Sequence, residues 1–373
     1  MALIAARRAV AAIFCLNGAA IGFWAANIAG IRERLALDPQ SLSYGFLAMA
    51  IGALIGMPLG GALISRFGSA RMMQISGFMF IVLLPMPVLS SDLPLLALSL
   101  AAFGLSNGVM DVAMNAHGVL VERNIGKPVV SSFHAMWSVG GLIGSACGGW
   151  ALVHIGPVAA VLSAAALALI AFGSANLYSL PSHLDRQMSE AHFAMPTRQT
   201  LALGLLAFLA MMSEGAILDW SGVYLRDLQA SPALAASGFA GFSGTMALGR
   251  FFGDGLRSRF GAGRLVQVSS LISLFGLGLA LASPFAQVAT FGFALMGIGI
   301  ANIAPVIYGA AGRLKGVASG ASIASVITMG YAGFMVGPAV IGFVAHHISL
   351  FAGLGLIGLA CALMAALGMA ADS

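Results

Sequence analysis

Charge is what this chain lacks. Only 8% of its 373 residues are Asp, Glu, Lys or Arg, where an ordinary soluble domain carries about 25%. With 60% hydrophobic residues and a mean hydropathy of +0.99, no soluble fold could cover so much apolar surface, so an integral membrane protein is expected. Cysteine is scarce too. Cys15, Cys147 and Cys361 stand alone in apolar runs, an odd number without short spacing, which speaks against a disulfide framework or a thiolate metal site. No Gly-x4-Gly-Lys-Ser/Thr loop is present, which argues against ATP as a driver. Nothing alternates with the period of a strand, which argues against a β-barrel. The 49 glycines have no collagen-like period and suit close helix contacts in a membrane. The net charge of +5 comes from singly scattered basic residues, the pattern of membrane topology signals and not of nucleic-acid binding. No cofactor or metal is implied.

What is present is a series of about twelve apolar stretches near the spanning length of roughly 20 residues. They run Ala9–Ile31, Leu42–Ile64, Met72–Leu89, Pro94–Val119, Val129–Val153, Val158–Leu180, Leu201–Leu225, Leu234–Leu256, Leu265–Ala282, Ala286–Gly309, Val317–Ala345 and Ile348–Met369. The opening "MALIAARRAV" has the basic flank of a signal peptide, but the run after it is long enough to span and reads as the first permanent helix. With a cytoplasmic N-terminus, one side receives Arg7, Arg8, Arg66, Arg71, Arg123, Lys127, Arg186, Arg198, Arg257, Arg259, Arg264, Arg313 and Lys315. The other receives Arg32, Arg34 and Arg226. The positive-inside rule then places both termini in the cytoplasm, in a multi-pass protein of the cytoplasmic (inner) membrane.

The chain also repeats itself. "SRFGSAR" (Ser65–Arg71) returns as "SRFGAGR" (Ser258–Arg264), 193 residues later. The same offset pairs Gly45 with Gly238, Gly56 with Gly249, Gln74 with Gln267 and Gly104 with Gly297. It also pairs Gly140, Gly144, Gly149 and His154 with Gly333, Gly337, Gly342 and His347. This predicts an all-α protein of twelve transmembrane helices in two six-helix halves of the same orientation. The halves are residues 1–184 and 200–373, with a cytoplasmic linker at 185–199 inside the polar stretch Pro181–Gln199.

Twelve spans, two parallel halves and a basic turn after the second and eighth spans resemble the major facilitator superfamily, over essentially the whole chain. The family's loop pattern Gly-x-Leu-x-Asp-Arg-x-Gly-Arg is met in part here from Gly61 to Arg71, with Ser65 in place of the aspartate and the closing arginine two residues late, at Arg71. That substitution puts in doubt any gating ion pair the aspartate makes in the family. An Arg250–Asp254 pair, one turn apart in the second copy, is expected to take that part at the cytoplasmic end. The gate residues the resemblance points to are Arg66, Arg71, Arg250, Asp254, Arg259 and Arg264. "DVAMNAHGVLVER", "SSFHAMWSVGGLIG" and "EGAILDWSGVYLRD" are similar to the branch of MosC-like membrane proteins, associated with a cyclitol amine and close to the fucose-permease type of proton symporters.

The fourth span carries Asn107, Asp111 and Asn115 at steps of four, which drift only about 40° per step and form one stripe. An ionised carboxylate costs several kcal/mol in hydrocarbon, so the stripe should face the bundle interior or a wet cavity. Asp111 reads either as a proton carrier or substrate anchor, or as a hydrogen-bonded strut. The offset maps the stripe onto Ile300, Ala304 and Tyr308, so its polarity is absent from the twin span. Such asymmetry favours function over scaffolding. In the fifth span Ser131, His134 and Ser138 share a face with Trp137 beside them, and His134 can meet Asp111 as relay or stay structural. His117, nearer the interface, is expected to be solvated. In the seventh span Glu214 is the candidate coupling site near the midplane, and Asp219 with Trp220 a candidate for substrate binding or for an outer gate contact to Arg32, Arg34 or Arg226. Asn17, Trp24 and Asn27 of the first span and Asn302 of the tenth complete a polar, aromatic-walled cavity.

Together these residues predict a proton-coupled secondary transporter working by alternating access, a monomer in the lipid bilayer. Its substrate would be a small polar organic solute: a sugar, a cyclitol or an amine-bearing relative. The middle of the spans is expected to hold no Arg or Lys that could bind an anion. Proton-driven efflux of amphiphilic or cationic compounds, or a transport-inactive sensor, are the other readings. An enzyme is not expected. "GFSG" at Gly241–Gly244 resembles the serine motif of rhomboid-type proteases, but the duplicated twelve-span plan does not.

Overall fold

The computed structural model describes residues 2–126, 129–181, 200–311, 314 and 319–372. The expected linker 185–199 and the topology residues Lys127, Arg186, Arg198, Arg313 and Lys315 lie outside the described residues. Within them the protein is all helix. α1 covers Ala2–Arg34, α2 Pro39–Phe67, α3 Ser69–Leu83, α4 Pro85–Leu89, α5 Leu93–Ile125, α6 Val130–His154 and α7 Pro157–Asn176. α8 covers Leu201–Asp227, α9 Pro232–Phe260, α10 Ala262–Ala282, α11 Ala286–Ile300, α12 Ile303–Ala311, α13 Ser319–His347 and α14 Leu350–Leu367, followed by a 3₁₀ turn at Gly368–Asp372.

Proline accounts for the two rods that come in two pieces. At α3–α4, Pro85 has no N–H for the Ile81 carbonyl, and the Leu84 N–H takes it instead at 3.3 Å. At α11–α12, Pro305 likewise has no N–H for the Ala301 carbonyl. Counting each pair as one span, eleven helical stretches among the described residues are long and apolar enough to cross a membrane. The twelfth rod, α9, misses on composition. Its first half is diluted by Ser237, Gly238, Gly241, Ser243, Gly244 and Thr245, and its second half carries Arg250, Asp254, Arg257 and Arg259. Large apolar side chains such as Leu98, Leu167, Phe275 and Leu359 stand exposed, as lipid-facing surfaces require.

Helix ends are set by short-range chemistry. The Asp92 side chain accepts from Leu95 N at 2.9 Å to start α5, with Pro94 in the first turn, and Ser349 accepts from Ala352 N at 3.1 Å to start α14. α5 ends on Gly126, whose φ of 72° needs a residue without Cβ. The Glu122 carboxylate then accepts the N–H groups of Val129 and Val130 at 2.6 and 2.9 Å, capping α6 across the turn. Ahead of α2, Asp38 accepts from Ser41 N at 2.7 Å and sits 3.5 Å from His346; the backbone bond first and the imidazole after it hold the Asp38 carboxyl below its ordinary value.

The chain divides into two compact units, Met1–Ala36 with Tyr44–Ala191 and Leu37–Ser43 with His192–Ser373. The internal repeat is visible in the contacts of each. In the first, a Cβ on Gly140 would stand 2.0 Å from the Cys15 carbonyl oxygen, and one on Gly22 would stand 2.3 Å from that of Gly141. In the second, a Cβ on Gly333 would stand 2.1 Å from the Phe208 carbonyl oxygen, and one on Gly215 would stand 2.6 Å from that of Phe334. Each residue of the second set follows its counterpart by the same 193 positions. α1 thus crosses α6 as α8 crosses α13, backbone against backbone, which only glycine permits. The basic turns repeat as well. Gly68 and Gly261 have φ of 86° and 82°, and the Ser65 and Ser258 hydroxyls donate to the Ala62 and Gly255 carbonyls at 2.7 and 2.9 Å.

Gly140→Val and Gly333→Val should each lower the melting temperature of the purified protein by several degrees, on the scale of the ~1–3 kcal/mol that overpacking costs. Gly173→Ala, where no atom lies within 4 Å of the added methyl, should leave it unchanged. Equal melting of all three variants would refute the backbone-contact account.

Candidate functional site

In the first unit the polar residues of three helices meet. Asn17 of α1, 3% exposed, donates from Nδ2 to Asn107 Oδ1 of α5 at 2.9 Å and to Met110 Sδ at 3.4 Å. Trp137 of α6 donates from Nε1 to Asn17 Oδ1 at 2.9 Å. The stripe on α5 forms as its spacing requires: Asn107, Asp111 and Asn115 are all half-buried, and Asn115 Nδ2 donates to the Asp111 carbonyl at 2.8 Å and to Asp111 Oδ1 at 3.2 Å. The Asn17–Trp137 link was not apparent in sequence, because it joins positions 120 residues apart. The signal that existed was an amide and an indole each isolated in an apolar run.

The neighbouring candidates are placed differently. His134 is exposed on α6, with its ring edge-on to Phe14 at 5.3 Å between centroids, and the Ser131 side chain lies outside what is described. Asn27 is spent on its own helix, donating to the Phe23 carbonyl at 2.8 Å. Trp24 is 2% exposed and its indole N–H has no hydrogen-bond partner among the described residues. His117 corrects the sequence reading. It is fully buried rather than solvated, with Nδ1 2.9 Å from Ser69 Oγ and Nε2 accepting from Leu180 N at 3.2 Å. It joins the start of α3 to the segment after α7, a closure that hydropathy along one helix cannot reveal.

In the second unit Glu214 stands at the midpoint of α8 and is 4% exposed. Arg250 of α9 places Nη2 3.7 Å from Glu214 Oε2, with the two side chains 16% and 6% exposed. Arg250 Nε also donates to the Ala301 carbonyl at 3.4 Å, the acceptor that Pro305 leaves without a helical donor. Beside it Asn302, 6% exposed, donates to the Gly249 carbonyl at 2.9 Å, and a Cβ on Gly253 would lie 2.1 Å from Asn302 Oδ1. One sequence expectation changes here. A basic group does reach mid-span, because the long arginine side chain brings its guanidinium to Glu214. Arg250 makes an ion pair with Glu214, and the side chain of Asp254, its expected partner one turn away, lies outside what is described.

Asp219 is 9% exposed, and Trp220 is fully buried with Nε1 donating to the Pro338 carbonyl at 2.9 Å, which ties α8 to α13. Among the arginines expected as outer contacts, Arg34 caps the end of α4, donating to the Ser90 and Val88 carbonyls at 2.6 and 2.9 Å, and Arg226 Nη1 donates to the Ala230 carbonyl. At the basic turns Arg66, Arg71, Arg259 and Arg264 are exposed. Arg66 and Arg71 lie over the Phe67 ring at 5.2 and 5.9 Å, and Arg259 lies over Phe260 at 5.5 Å.

The buried pair sets a stability test. Glu214→Ala or Arg250→Ala leaves one charge uncompensated, a loss on the order of 3–5 kcal/mol. The combination Glu214→Leu with Arg250→Met should melt higher than either alanine variant. Additive losses in thermal unfolding would rule out the pairing.

The family model of the Major Facilitator Superfamily matches residues 10–193. The chain is 34% identical over 353 residues to an uncharacterised MFS-type transporter of Yersinia pestis, with 93% of this chain and 90% of that one covered. It is 31% identical over 347 residues to the membrane protein MosC of Rhizobium meliloti, with 92% and 84% covered. The solved structure of the nucleoside transporter NupG matches with a TM-score of 0.76 at 13% identity, covering 98% and 99%, a likeness of fold. Helical composition, duplicated architecture and full-length relatives agree: the chain belongs to the major facilitator superfamily of membrane transporters.

Proposed function

We propose that the protein is a proton-coupled secondary transporter that moves a small polar organic solute, a sugar, cyclitol or amine-bearing relative, across the cytoplasmic membrane by alternating access. The observation that carries this reading is Glu214: a carboxylate at the midpoint of a membrane-spanning helix, buried against one arginine. Such a group is costly in a bilayer unless it is used, and a carboxylate held by a cationic partner can exchange that partner for a proton. Asp111 on α5 is the second proton candidate, and His134 a third. Asn107, Asn115, Asp219, Trp220, Trp24, Asn27 and Asn302 are the proposed solute-binding residues, and among them Trp24 supports the reading with an indole N–H that has no partner among the described residues. Arg66, Arg71, Asp254, Arg259 and Arg264 are assigned to the cytoplasmic gate, whereas Arg250 is assigned with Glu214 to coupling. The working unit is a monomer of two halves, 1–184 and 200–373, joined by the linker 185–199, with both termini cytoplasmic.

The test is accumulation of a solute library into proteoliposomes under an imposed proton gradient. Glu214→Gln and Asp111→Asn should reduce gradient-driven accumulation to the level of protein-free vesicles, while exchange of solute down its own gradient persists in at least one of them. Full gradient-driven accumulation by both variants would disprove proton coupling through these carboxyls.

A further inference from the structure

The three-helix network around Asn17 contains more information than its contacts. An indole N–H can only donate a hydrogen bond, whereas a carboxamide can donate from one end and accept at the other. Trp137 Nε1 lies 2.9 Å from one end of the Asn17 carboxamide, so that end is the oxygen. The NH2 of Asn17 must then face the other way, toward Asn107 at 2.9 Å and Met110 Sδ at 3.4 Å. The end of Asn107 that meets an NH2 must in turn be its oxygen. The orientation of a carboxamide is usually ambiguous from shape alone, but here one donor-only side chain dictates two of them in series. Asn107 is left with its NH2 unpaired among the described residues, on a half-buried side chain. One turn further along α5, about 6 Å away, stands the Asp111 carboxylate, an acceptor when ionised.

We infer that Trp137 and Asn17 are positioning residues that present Asn107 as a dedicated hydrogen-bond donor to the solute. The surface of α5 thus offers a donor and then an acceptor, a spacing on the scale of a six-membered ring. It fits a polyhydroxylated ring that accepts at Asn107 through one oxygen and donates at Asp111 through a hydroxyl or ammonium group. The inference rests on the solute-transport reading above and narrows its substrate to such rings. A network that served only to tie helices together would have no need to end on an open NH2. Asn17, by contrast, is fully used: its oxygen and its NH2 both have partners, which is what a positioning group requires.

The test crosses protein variants with ligand variants. Purified protein is titrated with myo-inositol, its monodeoxy analogues, an amino-inositol and a hexose, with thermal stabilisation giving apparent affinity. In the wild type, one deoxy position should weaken binding roughly tenfold, the usual worth of one hydrogen bond to a buried donor. Asn107→Leu should bind the parent ring as weakly as wild type binds that deoxy analogue, and should no longer distinguish the two. Trp137→Phe, two links away, should lose part of the same discrimination at the same ring position. If Trp137→Phe lowers the melting temperature but keeps the full wild-type deoxy preference, Trp137 only packs and the inference fails.

A second measurement needs no ligand. In spectra of protein labelled with 15N in its asparagine side chains, Trp137→Phe should shift the NH2 signals of both Asn17 and Asn107. An unmoved Asn107 signal would refute the relay. Should no ring in the panel stabilise the wild type, the assigned solute class is overturned, while the spectra still decide whether the relay exists. Gradient-driven uptake of some other solute in that case would leave the transport reading standing.

Discussion

A bilayer offers no water, so each backbone N–H and carbonyl within it must find its partner in the protein. Most of the architecture follows from that one constraint. It explains why the described chain is helical throughout, and it makes every interruption of a helix an event that needs an answer. Pro85 is answered locally, by a neighbouring N–H. Pro305 is answered from another helix, by the guanidinium of Arg250, which at the same time faces Glu214. The break in α11–α12 and the buried ion pair are therefore one arrangement, because the same arginine serves both.

The second consequence concerns how helices approach. Without a hydrophobic force between spans, contact depends on shape and on polar links. The glycine crossings of α1 with α6 and of α8 with α13 supply the shape, in matching registers in the two units. Upon that shared frame the two units carry different polar groups. The first has a neutral relay of indole and carboxamides ending beside Asp111, and the second has a charged pair beside a helix break. Duplication accounts for the frame; the polar groups are where the copies diverged.

Much of this was legible in the residues. The spans were visible because a helix that crosses a bilayer leaves a long apolar run. α9 was the weakest of them because Gly, Ser, Thr and four charged residues dilute it. The stripe of Asn107, Asp111 and Asn115 was visible because a period near four marks one helix face. The contact of Arg250 with Glu214 was not legible because sequence spacing reveals partners one turn away and is blind to partners on another helix. His117 was misjudged for the same reason, since its burial depends on Ser69 and Leu180 and not on its own neighbours.

The sequence by itself determined the class of the molecule: a membrane-embedded helical protein, duplicated, with a few polar residues that hydrocarbon would reject. These are properties of composition and period, and they do not depend on which helix touches which. Only the tertiary structure decided the partners: Trp137 on Asn17, Asn17 on Asn107, Arg250 between Glu214 and Ala301. The reason is geometric. A hydrogen bond or an ion pair between spans depends on helix crossing and rotation to within a few ångströms, and those are set by the packed bundle as a whole.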